Sequence, residues 1–125
     1  MNPEIINPLQ KPTPVLSPAV RVGDVVYTSG QVGIDPKTDK LAGPGIQEQT
    51  RQVMDNIKML VEAAGSSMDK VVKCLVFLTD MNDFQAMNEV YKSYFTSNPP
   101  GRSCVKVAAL ARPELIVEIE AIAVM

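Results

Sequence analysis

Two carboxylates, Glu118 and Glu120, stand two residues apart in the apolar run Leu115-Ile116-Val117-Glu118-Ile119-Glu120-Ala121-Ile122-Ala123-Val124. On a strand that spacing puts both on one face. Burying an ionised carboxylate is costly unless a cation or hydrogen bonds offset it. The pair therefore reads either as a polar stripe or structural ion pair, or as an acid–base or water-orienting group tuned by its apolar surround. Arg102 follows Pro99-Pro100-Gly101 at the head of a second apolar segment. A planar guanidinium there can clamp a carboxylate with two parallel hydrogen bonds, or simply be a surface or interface arginine. Thr28-Ser29-Gly30 offers a hydroxyl and backbone N–H groups to an anion, although such triplets also mark strand bulges. Asn88 reads as a solvated amide on a helix. Cys104 lacks a histidine or basic cluster in its immediate sequence, so nothing visible activates it as a nucleophile.

Composition narrows the chemistry further. The 125 residues contain no histidine, which removes Ser-His-Asp and Cys-His pairs, the HExxH zinc site and the usual proton shuttle near neutrality. Twelve basic against fourteen acidic residues leave a net charge of −2, with the basic residues scattered, so no footprint for nucleic acid is visible. Cys74 and Cys104 are too few and too distant for a CxxC pair or a four-cysteine metal site. A disulfide between them stays open, but their apolar settings favour two buried thiols and a reducing compartment. The N-terminus lacks a basic start followed by an apolar stretch, and no run approaches the ~20 residues of a membrane helix. The expected location is cytoplasmic, or mitochondrial if a longer precursor exists.

The elements that must position these groups follow from periodicity. The length suits a single domain over residues 1–125. Residues 1–18 carry five prolines and read as an extended N-terminal arm. Val20–Val22 and Val25–Thr28 flank a Gly23-Asp24 turn as a hairpin. Gly30, inside a strand pattern, marks a bulge or a close backbone approach. Helical spacing of Ile46, Val53, Ile57, Leu60, Val61 and Ala64 predicts a helix ending near Gly65. A strand over Val71–Leu78 and a second helix carrying Phe84, Met87, Val90, Tyr91, Tyr94 and Phe95 follow, with the aromatics expected in the core. Strands over Ser103–Leu110 and Leu115–Val124 complete an α+β order ββαβαββ. Two helices can cover only one face of the single mixed sheet, and the last strand is apolar on both faces. The uncovered face is therefore expected to pack against further copies in a closed oligomer.

Taken together, Tyr27-Thr28-Ser29-Gly30-Gln31, Asn82-Asp83-Phe84, Asn88-Glu89-Val90-Tyr91, Arg102-Ser103-Cys104-Val105 and Val117-Glu118-Ile119-Glu120-Ala121-Ile122-Ala123 resemble the RidA/YjgF/YER057c/UK114 proteins, the reactive intermediate deaminases. The likeness runs in order from about Val15 to Val124. It implies a chorismate-mutase-like fold, a homotrimer with intersubunit clefts, and no cofactor or metal. It implies hydrolysis of enamine/imine intermediates such as 2-iminobutanoate and 2-iminopropanoate to 2-keto acids and ammonia. Carried over by position, Arg102 would bind the substrate carboxylate with the backbone near Cys104. Glu118 would activate water or shuttle its proton, and Ser29, Gly30 and Asn88 would line the cleft. Where many members have a cleft-reaching tyrosine, this chain has Leu16, which cannot donate a hydrogen bond. Pro99-Pro100-Gly101-Arg102 likewise replaces the common Phe-Pro-Ala-Arg. Two further readings stay open: a non-catalytic, trimeric small-carboxylate-binding or chaperone-like protein, and an endoribonuclease or translation inhibitor, which the absent histidine and basic groove support least.

Overall fold

The computed structural model describes residues 2–125. In chain order its elements are β1 (Glu4–Ile6), β2 (Ala19–Val22), β3 (Val25–Thr28), β4 (Gln31–Val32), β5 (Ile34–Asp35), β6 (Lys40–Leu41), α1 (Ile46–Ala63), β7 (Val71–Leu78), α2 (Phe84–Tyr91), β8 (Gly101–Lys106) and β9 (Val117–Val124), with single 3-10 turns at Met68–Lys70, Met81–Asp83 and Lys92–Tyr94. Seven strands form one sheet in the order β1-β2-β3-β9-β7-β8, and β4 pairs with β9 beyond β3. Among the described residues only the β7–β8 pair is parallel, because α2 returns the chain across the sheet between them. The expected order of two helices and a mixed sheet is present, extended by short strands.

Those additions correct the reading of the N-terminus. The proline-rich arm is not merely extended: Glu4–Ile6 pairs antiparallel with Ala19–Val22, because none of its five prolines falls within those three residues. A small hairpin, β5 against β6, also fills the stretch between β4 and the first helix. The strand expected over Ser103–Leu110 stops at Lys106, and that expected from Leu115 begins at Val117. Cys104 is half-buried rather than buried, and both cysteines are free. The register sets Cys74 opposite Arg102 and Cys104 opposite Val76. Of the four aromatics assigned to the core, only Tyr91 is buried; Phe84, Tyr94 and Phe95 pack at its margin.

Helix α1 is amphipathic, burying Val53, Met54, Ile57, Leu60 and Val61 against the sheet. At its start the Gly45 N–H donates to Glu48 Oε1 at 3.0 Å. It ends in a Schellman turn, with Gly65 at φ +93°, its N–H on the Glu62 carbonyl and the Ser66 N–H on the Val61 carbonyl. Gln49, fully buried on this helix, donates to the Gly43 and Glu114 carbonyls and accepts from the Ile116 N–H. It thereby satisfies three backbone groups and fixes the entry to β9. In β9, Val117, Ile119, Ala121 and Ala123 are buried beneath the helices, while Glu118, Glu120 and Ile122 face the uncovered side. The register aligns Ile5, Val20, Tyr27 and Ile122 in one cross-strand row on that side, and Val105, Phe77, Glu118 and Val32 in another. Tyr27 is 47% exposed and Val105 43%.

Candidate active site

The bulge read from Gly30 lies between β3 and β4. Tyr27 pairs with Ile122 and Gln31 with Ile119, so three residues on one strand oppose two on the other. The bulge and the hydrogen bond from the Ala121 N–H to Thr28 Oγ1, 3.0 Å, hold Gly30 over Glu118. A methyl group on Gly30 would sit 2.8 Å from Glu118 Cδ and 3.0 Å from its Cγ, so only glycine leaves that carboxylate room. Ser29 is committed locally: its hydroxyl donates to the Ser17 carbonyl at 2.6 Å and its N–H to the Pro18 carbonyl at 2.9 Å. It can offer a ligand hydroxyl lone pairs, not the N–H read from the sequence as available.

Glu118 sits half-buried among Val32, Phe77 and Val105 in its cross-strand row. Removal from water, and secondarily the like charge of Glu120, raises its pKa above the ordinary 4.5. Among the described residues the ion pairs are Lys11–Asp39, Glu89–Lys92 and Arg112–Glu114, so no cation compensates Glu118. A carboxylate poised in this way can exchange a proton with water nearer neutrality than a solvated one.

Arg102 lies on the other side of the sheet. It pairs with buried Cys74 and so points to the helix-covered face, at the edge strand β8. Its Nη1 donates to Asn88 Oδ1 at 2.7 Å. Its Cζ stands 4.9 Å from the centre of the Tyr91 ring and 5.5 Å from that of Phe84. Asn88, read as solvated, is thus an acceptor for the arginine. Phe84 and Tyr91, read as core, are its aromatic walls, and the signal was present: positions 84, 88 and 91 are i, i+4 and i+7 on one face of α2. Desolvation raises the Cys104 thiol pKa, only partly opposed by Arg102, so this cysteine stays protonated and unactivated.

The candidate residues therefore form two clusters, Gly30 with Glu118 on the open face and Asn88 with Arg102 on the covered face; a single chain does not bring Arg102 and Glu118 together. Leu16, 59% exposed, lines a pocket of about 250 Å³ with Pro8, Leu9, Pro18, Gly30 and Gln31. A larger hollow of about 400 Å³, beside Lys58, Glu62 and Asp69, touches none of the candidates. Among the described residues no group of three His, Cys, Asp or Glu side chains could hold a metal ion, and no helix is long and apolar enough to cross a membrane.

The family model described as Endoribonuclease L-PSP matches residues 9–125. A RutC family protein of Saccharolobus solfataricus is 47% identical over 122 residues, 96% of each chain. The 2-iminobutanoate/2-iminopropanoate deaminase of Mus musculus is 46% identical over 108 residues, 86% of this chain and 79% of its own. The crystal structure of RidA from an Antarctic Psychrobacter superposes with a TM-score of 0.89 at 44% identity, covering 98% of this chain and 99% of that one. With the match spanning nearly the whole sheet and both clusters, the chain belongs to the RidA/YjgF family.

Proposed function

We propose that the protein is a 2-iminobutanoate/2-iminopropanoate deaminase whose active sites form between copies in a homotrimer. The observation that carries the reading is Arg102, a guanidinium aimed by Asn88 and walled by two aromatic rings, with no carboxylate of its own. Such a cation suits a substrate that always carries a carboxylate, and arginine keeps its charge at any physiological pH. The mammalian relative named for this reaction supports the assignment. Because Arg102 and Glu118 lie on opposite faces of one sheet, a joint site takes Arg102 at the β8 edge of one copy and Glu118 with Gly30 on the open face of the next. The exposed apolar rows on that face supply the surface for such contact.

In this arrangement Arg102 binds the carboxylate and places the imine carbon, already electrophilic, before a water held by Glu118. Glu118 takes a proton from the water as its oxygen bonds to the carbon of the protonated imine, giving a neutral carbinolamine. It passes that proton to the nitrogen; as the C–N bond breaks and ammonia leaves, the carbinolamine hydroxyl gives its own proton to Glu118 and becomes the carbonyl of the keto acid, and Glu118 releases that proton to ammonia or water. Orientation and proton handling suffice, so the chemistry needs neither histidine nor a covalent nucleophile.

Keto-acid formation from 2-iminobutanoate, generated by threonine dehydratase with semicarbazide competing for the imine, tests the reading. The wild type accelerates release and Arg102→Ala does not; equal rates with and without folded wild-type protein would refute it. One observation favours a second reading, carboxylate binding without turnover: Leu16 puts an apolar side chain beside Gly30. Retained 2-oxobutanoate binding with no imine hydrolysis would select it. The nuclease name of the family model finds little support in a chain of net charge −2 without histidine.

A further inference from the structure

Every contact recorded around the Arg102 guanidinium is neutral. Nη1 meets the amide oxygen of Asn88, and the plane meets the faces of Phe84 and Tyr91. A guanidinium has only donors, so Asn88 must present its oxygen, and the amide orientation follows from chemistry. A carboxylate in the same place would also orient the arginine, but it would neutralise the charge that a ligand carboxylate seeks. The helix supplies none here: its acidic residue, Glu89, pairs with Lys92. With Nη1 engaged, the edge formed by Nε and Nη2 keeps two parallel N–H bonds for a carboxylate. The Tyr91 hydroxyl, buried without a hydrogen-bond partner, contributes nothing to this hold, so the residue acts through its ring.

We propose that Asn88, Phe84 and Tyr91 are a positioning set that orients Arg102 by neutral contacts alone, keeping its full charge for the substrate carboxylate. Asn88 is then the residue that makes the site selective for anionic over uncharged ligands. The proposal rests on the reading of Arg102 as the carboxylate anchor.

The test is calorimetric titration of the assembled protein with 2-oxobutanoate and with its uncharged amide, 2-oxobutanamide. The wild type prefers the carboxylate. Asn88→Asp places a competing anion on Nη1. It lowers carboxylate affinity about 10-fold or more, the scale of one charge-assisted hydrogen bond, while amide affinity stays within about twofold and the melting temperature holds or rises. Should Asn88→Asp fail to fold, Phe84→Leu carries the test, raising KM for 2-iminobutanoate about fivefold with kcat within about twofold. Undiminished carboxylate preference in Asn88→Asp, or equal weakening of both ligands, would overturn the proposal. Wild-type affinity in Arg102→Ala would instead remove the anchor reading beneath it, and the two failures are distinguished by which variant shows them.

Discussion

Gly30→Ala is the sharpest perturbation of the carboxylate cluster. The added methyl would lie 2.8 Å from Glu118 Cδ and 3.0 Å from Cγ, where ordinary contact begins at 3.4 Å. Glu118 must swing away, and its carboxylate, at the end of the lever, moves by about an ångström, a misplacement that can cost about 100-fold in rate. The backbone should tolerate the change, because Gly30 is not in the left-handed region. Alanine also restricts the unfolded chain, a gain of about 0.4–1 kcal/mol, against about 1–3 kcal/mol of local overpacking. The expected result is a fold destabilised by about 1 kcal/mol, with kcat/KM for imine hydrolysis down about 100-fold. A double-mutant cycle isolates the cause: in a Glu118→Ala background, where the side chain being displaced is absent, Gly30→Ala should lower the residual rate no further than about twofold. Full activity in Gly30→Ala, or an undiminished 100-fold loss in the Glu118→Ala background, would refute the coupling of Gly30 to Glu118.

Glu118→Gln should fold and lose most turnover, whereas Glu120→Gln loses much less; equal rates in the two would undo their assignment. Because burial and Glu120 together raise the Glu118 pKa, the acid limb of the kcat/KM profile should lie above pH 4.5 and move down in Glu120→Gln. A limb that does not move would contradict the contribution of Glu120. The same shift has a stability consequence of defined sign. The folded state holds the Glu118 proton more tightly than the unfolded one, so this group's contribution falls as pH rises from the unfolded to the folded pKa. Glu118→Gln should therefore melt higher than wild type at pH 7 and no higher below pH 4, as calorimetric scans would show. Gln49→Leu strands the Gly43 and Glu114 carbonyls and the Ile116 N–H, and should cost about 3 kcal/mol or more in urea unfolding; a cost below about 1 kcal/mol would contradict the bracing role.

Much of the fold is legible in the sequence because its main elements are long and periodic. The apolar run Val71–Leu78 is the strand as read, and the helix from Ile46 runs to Ala63 before the Gly65 turn. Strands β1 and β4–β6 have two or three residues each, too few for any periodicity, and exist through the partners that tertiary structure brings them. Gly30 was legible because glycine within a strand pattern is a physical anomaly with few explanations. The Arg102–Asn88 bond was not, since it depends on the β7–β8 register and on the turn of α2 that sets Asn88 over the edge strand. The same register decides that Arg102 and Glu118 occupy opposite faces, and no local pattern encodes it. The resemblance put the two residues in a cleft between subunits; the sheet assigns them to opposite faces of a single chain.

That separation makes subunit complementation the most direct test of a site shared between copies. Arg102→Ala and Glu118→Gln are each expected to be nearly inactive. In a closed ring with head-to-tail contacts, each site draws Arg102 from one copy and Glu118 from its neighbour. Unfolding the two variants together in equal amounts and refolding them should therefore leave about one quarter of the sites with both native residues, and recover about one quarter of wild-type imine hydrolysis. A mixture as inactive as its parents, from protein shown by light scattering to be trimeric and mixed, would contradict the account.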